Sequence, residues 1–166
     1  SFISSMNFYS TLSSMRATGT GLGTIYLFPW AISIVFTLLI LVLPVLTGAT
    51  GILVSDICFN TIYMDPAFGG DPVLYQHFFW VFGHPEVYIL IVPAFGVLSH
   101  VLAGVAGSII IYGYPSMVLA MGCISILGSL VWGHHIYTVG LEADTRSYFT
   151  GLTVMISLPT GTKLLN

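Results

Sequence analysis

The sequence predicts an all-α fold, a polytopic transmembrane helical bundle with four spans, built as a single membrane unit over residues 1–166. Three observations predict it. Hydrophobic residues make up 56% of the chain and charged residues 5%, where a soluble domain carries about 25% charged residues. Long runs carry no charge at all: the run from Phe28 to Val54 exceeds the roughly 20 residues a helical span requires. The runs are separated by clusters of glycine, proline and aspartate, which are turn chemistry. The natural solvent of such a chain is lipid.

In chain order, residues 1–24 are rich in Ser, Thr and Gly, hold Arg16, and read as a loop before the first span. The first span covers about 28–54, with Pro44 expected to kink it. Ser55 to Gln76 is a loop, marked by Asp56, Asp65-Pro66 and Gly69-Gly70-Asp71-Pro72. The second span runs over about 77–105, long enough to require tilt. Gly113-Tyr114-Pro115 closes a short turn, and the third span covers about 116–137, ending in Trp132-Gly133-His134-His135. Glu142, Asp144 and Arg146 form the next loop, and a fourth span covers about 147–166. Four spans put both ends on one side. Arg16 then lies opposite the loop holding Asp56, Asp65 and Asp71, and the positive-inside tendency places that acidic loop outside.

Charge and cysteine usage narrow the function classes. Three basic residues (Arg16, Arg146 and Lys163) and a net charge of −3 argue against nucleic acid as a partner. Cys58 and Cys123 are far apart with no CxxC spacing and indicate no redox compartment. No signal-peptide pattern is apparent. The absent initiator methionine and the ending Lys163-Leu164-Leu165-Asn166 suggest a piece of a longer chain, or processed or split coding.

The stretch that carries chemistry is Trp80-Val81-Phe82-Gly83-His84-Pro85-Glu86-Val87-Tyr88. Ionisable groups inside a membrane span are costly, so they mark a functional site by default. Tyr88 follows His84 by four residues and shares its helix face, while Glu86 points to the opposite side. The alternative is a core histidine beside a packing tyrosine. His84 with the pair His134-His135 offers three imidazoles from two spans. Adjacent side chains diverge by about 100° on a regular helix, so one ion held by both needs irregular backbone, which Gly133 permits. Three neutral imidazoles suit copper, zinc or iron and leave a position for a small substrate. Histidine pairs also occur at helix ends as interfacial residues without a ligand.

Ser99 lies eleven residues after Tyr88, about three turns further along the same face. Thr160 and Lys163 share a face of the fourth span. Together they make a hydrogen-bonded proton route from the inner surface; the alternative is a lysine that snorkels to the interface. Trp80 and Trp132 read as lining the metal pocket, or as ordinary packing, and His77 and His100 as structural hydrogen-bonding residues.

Five motifs now stand in register: Gly70 through His77, Trp80 through Tyr88, Val131 through His135, Asp144-Thr145-Arg146-Ser147-Tyr148-Phe149, and Pro159-Thr160-Gly161-Thr162-Lys163. They resemble the catalytic subunit of the haem–copper oxygen reductases, most closely subunit I of the cytochrome c oxidase branch, from the loop before its fifth helix to its eighth helix. The resemblance covers nearly the whole chain. It implies that His84, His134 and His135 bind the copper ion facing a high-spin haem. It implies that Tyr88 is cross-linked to the ligand His84 and donates a proton and an electron, and that Glu86 ends one proton pathway. Ser99, Thr160 and Lys163 match a second pathway ending at Tyr88, and Trp80 and Trp132 match tryptophans near the copper. The family reduces oxygen to water and pumps protons. The implied partners are the remaining pieces of subunit I, the subunit carrying the copper pair, other oxidase subunits, cytochrome c as electron donor and the lipid bilayer. The implied location is the mitochondrial inner membrane, or a bacterial plasma membrane.

The departures are equally definite. The family's haem axial ligands match none of the residues in this chain, and the entrance of the Glu86 pathway belongs to earlier helices. The turn Gly107-Ser108-Ile109-Ile110-Ile111-Tyr112 is more apolar than is usual in the family. The chain is therefore not expected to be active alone. The rival readings are a quinol oxidase fragment, a nitric oxide reductase (a branch without the tyrosine seen as Tyr88) and a non-catalytic membrane scaffold fragment.

Overall fold

A computed structural model of the chain describes residues 1–165. The described residues form six α-helices and two short 3-10 turns. Helix α1 is Phe2–Ser14, α2 is Leu27–Cys58, α3 is Pro72–Val105, α4 is Tyr114–Gly128, α5 is Ala143–Met155 and α6 is Ser157–Leu165. Three stretches are long and apolar enough to cross a bilayer: Leu27–Cys58, Pro72–Val105 and Tyr114–Ile136. With 32 and 34 residues, α2 and α3 are each about 50 Å long, beyond the roughly 30 Å hydrocarbon core, so they tilt or emerge from it.

The core sits where α2, α3 and α4 meet. Leu27, Ala31 and Val35 from α2 pack with Val92 and Phe95 from α3 and with Met117, Met121 and Ile124 from α4. The buried positions of α2 recur every three or four residues over its first half, the spacing of one helix face. Its other faces keep large apolar residues such as Leu41, Val54 and Ile57 exposed, which lipid tolerates and water would not. Two long-range bonds tie the start of α2 to its neighbours. His100 Nε2 accepts the Phe28 N–H (3.0 Å), satisfying a donor that the start of α2 leaves open, and the Tyr114 hydroxyl donates to the Ile25 carbonyl.

The loop between α2 and α3 uses its acids locally. Asp56 accepts from the Thr61 hydroxyl and from the Tyr63 and Met64 N–H groups. Asp65 caps the 3-10 turn Pro66–Phe68, and Asp71 caps α3 by accepting from Val73 N–H at 2.9 Å. Pro72 at the first helical position completes that start signal. Helix α3 therefore begins five residues before the expected 77.

Three expectations change. Residues 1–24 are not wholly loop, because Phe2–Ser14 is helical. Its hydroxyls bond back to carbonyls one turn earlier, Ser5 to Ser1 (2.8 Å) and Thr11 to Asn7 (2.9 Å), so a polar composition concealed a helix. Phe8 stacks on Phe36 of α2 with ring centroids 4.6 Å apart, which anchors it. The third span keeps close to its expected extent, as Tyr114–Ile136, but within it α4 stops at Gly128 and the chain resumes as the 3-10 turn Trp132–Ile136. The stretch expected as a fourth span over 147–166 is two helices of 13 and 9 residues, with Ile156 between them. Pro159 has no N–H to give the Met155 carbonyl, and the Ser157 hydroxyl turns back onto the Val154 carbonyl at 2.6 Å. The last residue of that expected span, Asn166, lies outside the described residues.

Candidate metal centre

Helix α3 supplies the first ligand. His84 is buried at 6% exposure, and Tyr88, one turn on, meets it edge-on with centroids 4.8 Å apart. Pro85 and Pro93 lie within α3, which nevertheless continues unbroken to Val105. Glu86 is exposed and faces away from the pair.

The 3-10 turn Trp132–Ile136 supplies the other two imidazoles. The turn sets both imidazoles against His84. His84 Nδ1 lies 3.0 Å from His135 Nε2 and 3.1 Å from His134 Nε2, and the latter two atoms are 3.1 Å apart. Three ring nitrogens thus form a nearly equilateral triangle. Its corners share a point about 2 Å from each, the length of an imidazole–metal bond.

One tautomer follows from the hydrogen bonds. The Thr153 hydroxyl donates its only proton to the Phe149 carbonyl (2.6 Å), so it accepts from His134 Nδ1–H at 3.0 Å. His134 Nε2 therefore presents a lone pair to the triangle. Neutral imidazoles that face one another with lone pairs repel unless something positive lies between them. His84 turns Nδ1 toward the triangle, and its Nε2 is buried without a partner among the described residues. A cation satisfies all three, and an all-imidazole donor set suits copper, zinc or iron with an open coordination position. Among the described residues this is the one group of histidine, cysteine and acidic side chains close enough to hold an ion.

The other expected residues divide. Trp80 stacks on His135 (4.0 Å between centroids, 8° between planes) and shields one side of the triad. Trp132 faces elsewhere: its indole N–H donates to His77 Nδ1 (3.3 Å), and its ring meets Phe149 edge-on at 5.2 Å. Trp132 therefore ties the 3-10 turn to the start of α3 and to α5. The Tyr88 ring packs on Gly128, where an added Cβ would lie 2.7 Å from Tyr88 Cδ2. Ser99 and Lys163 line one cavity of about 260 Å³. Lys163 is 6% exposed and its Nζ has no partner among the described residues. Thr160 and Tyr88 do not line that cavity. Ser99 and Thr160 instead donate to the Phe95 and Ile156 carbonyls of their own helices, at 2.8 and 2.9 Å.

The family profile described as "Cytochrome C and Quinol oxidase polypeptide I" matches residues 1–166. The chain belongs to that family. Proteins named cytochrome c oxidase subunit 1 are similar to it over its whole length: 57% identical in Plasmodium falciparum, 56% in Plasmodium berghei and 47% in Cereibacter sphaeroides. The alignments cover 35%, 35% and 29% of those proteins. The chain therefore spans about a third of the length of its oxidase relatives.

Thr153 is the site residue that motif reading missed. Nothing in the sequence distinguishes it from Thr145 or Thr150, and only the fold brings it to His134. In this oxidase-family chain, Thr153→Val keeps the shape and removes the acceptor that fixes the His134 tautomer. The affinity of the three-histidine group for a metal ion is expected to fall about 10–100-fold, the usual cost of losing an outer partner of a histidine ligand. Chelator competition measures it, and an unchanged affinity would separate Thr153 from ligand orientation.

Proposed function

We propose that the chain is the central portion of the catalytic subunit of a cytochrome c oxidase, which reduces oxygen to water and couples this to proton pumping. The observation that carries the reading is the triangle of imidazole nitrogens drawn from two separate apolar segments, with sides of 3.0–3.1 Å. It is supported by the relatives' names and by the family match over the whole chain.

His84, His134 and His135 hold copper. Bound there, opposite a high-spin haem held by residues outside this chain, copper supplies reversible one-electron chemistry toward oxygen. The Thr153 bond keeps the His134 lone pair directed at the ion. Trp80 covers His135 and excludes water from that side. Tyr88 stands beside His84 as donor of a phenolic proton and an electron, and the edge-on contact of the two rings, with centroids 4.8 Å apart, supports a covalent link between them. Lys163, in its cavity with Ser99, stores and passes protons toward Tyr88, with Thr160 on the same helix. Glu86, on the far side of α3, serves a second proton pathway completed by other helices. Helices α5 and α6 act together as a broken fourth crossing.

The partners in this reading are the rest of subunit I, the subunit carrying the copper pair, other oxidase subunits, and cytochrome c as donor. The location is the mitochondrial inner membrane, as for a eukaryotic oxidase, with the bacterial plasma membrane as the alternative that the Cereibacter relative represents. The family description names quinol oxidases as well. The deciding experiment purifies the assembled complex through a tagged partner subunit and measures oxygen uptake with each donor. Uptake with reduced cytochrome c is expected. Uptake with quinol alone assigns the chain to the quinol branch, and a complex that holds no copper at these histidines is a scaffold.

A further inference from the structure

The three histidines converge only while the turn that carries two of them keeps one register against α3. The backbone of the turn does little to fix that register. Its 3-10 winding makes poorer hydrogen bonds than an α-helix, and the His134 N–H reaches the Val131 carbonyl at 3.3 Å. The ring nitrogens, 3.0–3.1 Å apart, repel one another wherever lone pairs meet, so before an ion binds the triad itself pushes the turn away from α3. Side chains outside the triad have to hold it.

Two of the holding contacts run to α5. The Tyr137 hydroxyl, just past the turn, donates to Thr150 at 2.8 Å, because Thr150 gives its own proton to the Arg146 carbonyl. His134 is tied to Thr153 of the same helix. At the first residue of the turn the partner is α3: the Trp132 indole N–H donates to His77 Nδ1 at 3.3 Å. An indole nitrogen only donates, so His77 accepts as a neutral imidazole with its proton on Nε2. His77 precedes His84 by seven residues, about two turns and about 10 Å along one face of α3. Trp80 lies between them on that face and stacks on His135. One face of α3 thus meets the turn at three levels, and His77 is the one farthest from the triad.

We propose that His77 is a positioning residue for the metal centre. By accepting the Trp132 indole proton it holds the start of the histidine turn against α3, so that His134 and His135 face His84 before the ion binds. The proposal rests on reading the triad as a copper site. The bond acts on affinity through preorganisation. Without it the empty turn relaxes away from α3, and metal binding has to draw it back. A bond that only stabilised the fold would strengthen the empty and loaded forms alike and leave the affinity unchanged.

The test uses the assembled complex and measures copper affinity by chelator competition. One net hydrogen bond accounts for about 2–10-fold in an equilibrium constant, so His77→Leu is expected to lower the affinity by about that factor. Trp132→Phe keeps an aromatic ring beside Phe149 and removes the donor, and the same loss is expected. Because both changes cut one bond, the double variant is expected to be no weaker than either single one. His77→Asn offers a carbonyl oxygen near the place of Nδ1 and is expected to recover most of the affinity. Unchanged affinity in His77→Leu and Trp132→Phe overturns the proposal, as do losses that add in the double variant. A His77→Asn complex as weak as His77→Leu also overturns it, because the loss then follows the ring and not the acceptor. An unaltered complex without copper at the triad overturns the copper reading and the proposal together. Copper bound equally well in the unaltered complex and every variant overturns the proposal alone.

Discussion

Replacing His84 with alanine in the assembled complex is expected to remove the copper held by the imidazole triad and to take oxygen consumption to background. His84 Nδ1 closes two sides of the nitrogen triangle, and without it His134 and His135 leave a two-ligand site open to solvent. Loss of an outer hydrogen-bond partner already costs metal sites about 10–100-fold in affinity, and loss of a direct ligand costs more. The substitution also leaves a space beside Trp80 and Tyr88, so a stability penalty accompanies it. For that reason the decisive readout is stoichiometric. On the proposed reading, elemental analysis should show copper falling by one ion per complex while the haem content stays at its normal value, because that reading places haem ligation outside this chain. Full copper occupancy with normal turnover would mean that the triad is not the metal site.

The parts of the fold legible in the sequence were those where one physical demand dominates. The run from Leu27 to Cys58 has no charge before Asp56, so no other assignment than a span was available. The start of α3 was misplaced by five residues, because Asp71-Pro72 reads equally as a turn and as a cap followed by proline at the first helical position. What was hidden depended on tertiary partners. Helix α1 is held by Phe8 against Phe36, a contact with no signature in a Ser- and Thr-rich stretch. The division of α5 from α6 was signalled by Pro159, but apolar residues on both sides made the stretch read as continuous. At the metal centre, spacing placed Tyr88 on the face of His84, and the pair His134-His135 required irregular backbone, which the 3-10 turn provides. Spacing said nothing about Thr153, because a hydroxyl that orients a ligand from another helix has no local pattern. It also grouped Trp80 with Trp132, although one stacks on a ligand and the other bonds to His77.

Tyr88→Phe should stop turnover and leave the copper in place. The two side chains have the same ring, and the Tyr88 hydroxyl has no hydrogen-bond partner among the described residues, so the change removes little that holds the fold together. The ring keeps its packing on Gly128 and its edge contact with His84. On the proposed reading, only a donor of a proton and an electron is lost. General acid catalysis contributes about 10²–10⁴-fold, so a fall of at least that size in oxygen uptake is expected with copper content unchanged. Gly128→Ala makes the complementary change. An added Cβ would lie 2.7 Å from Tyr88 Cδ2 and must push the ring aside, while the hydroxyl remains. If the phenol does chemistry, Gly128→Ala lowers turnover by less than Tyr88→Phe, because a displaced donor still donates. If the ring serves only to pack against His84, the order reverses: Phe is silent, and the alanine that moves the ring is the damaging change.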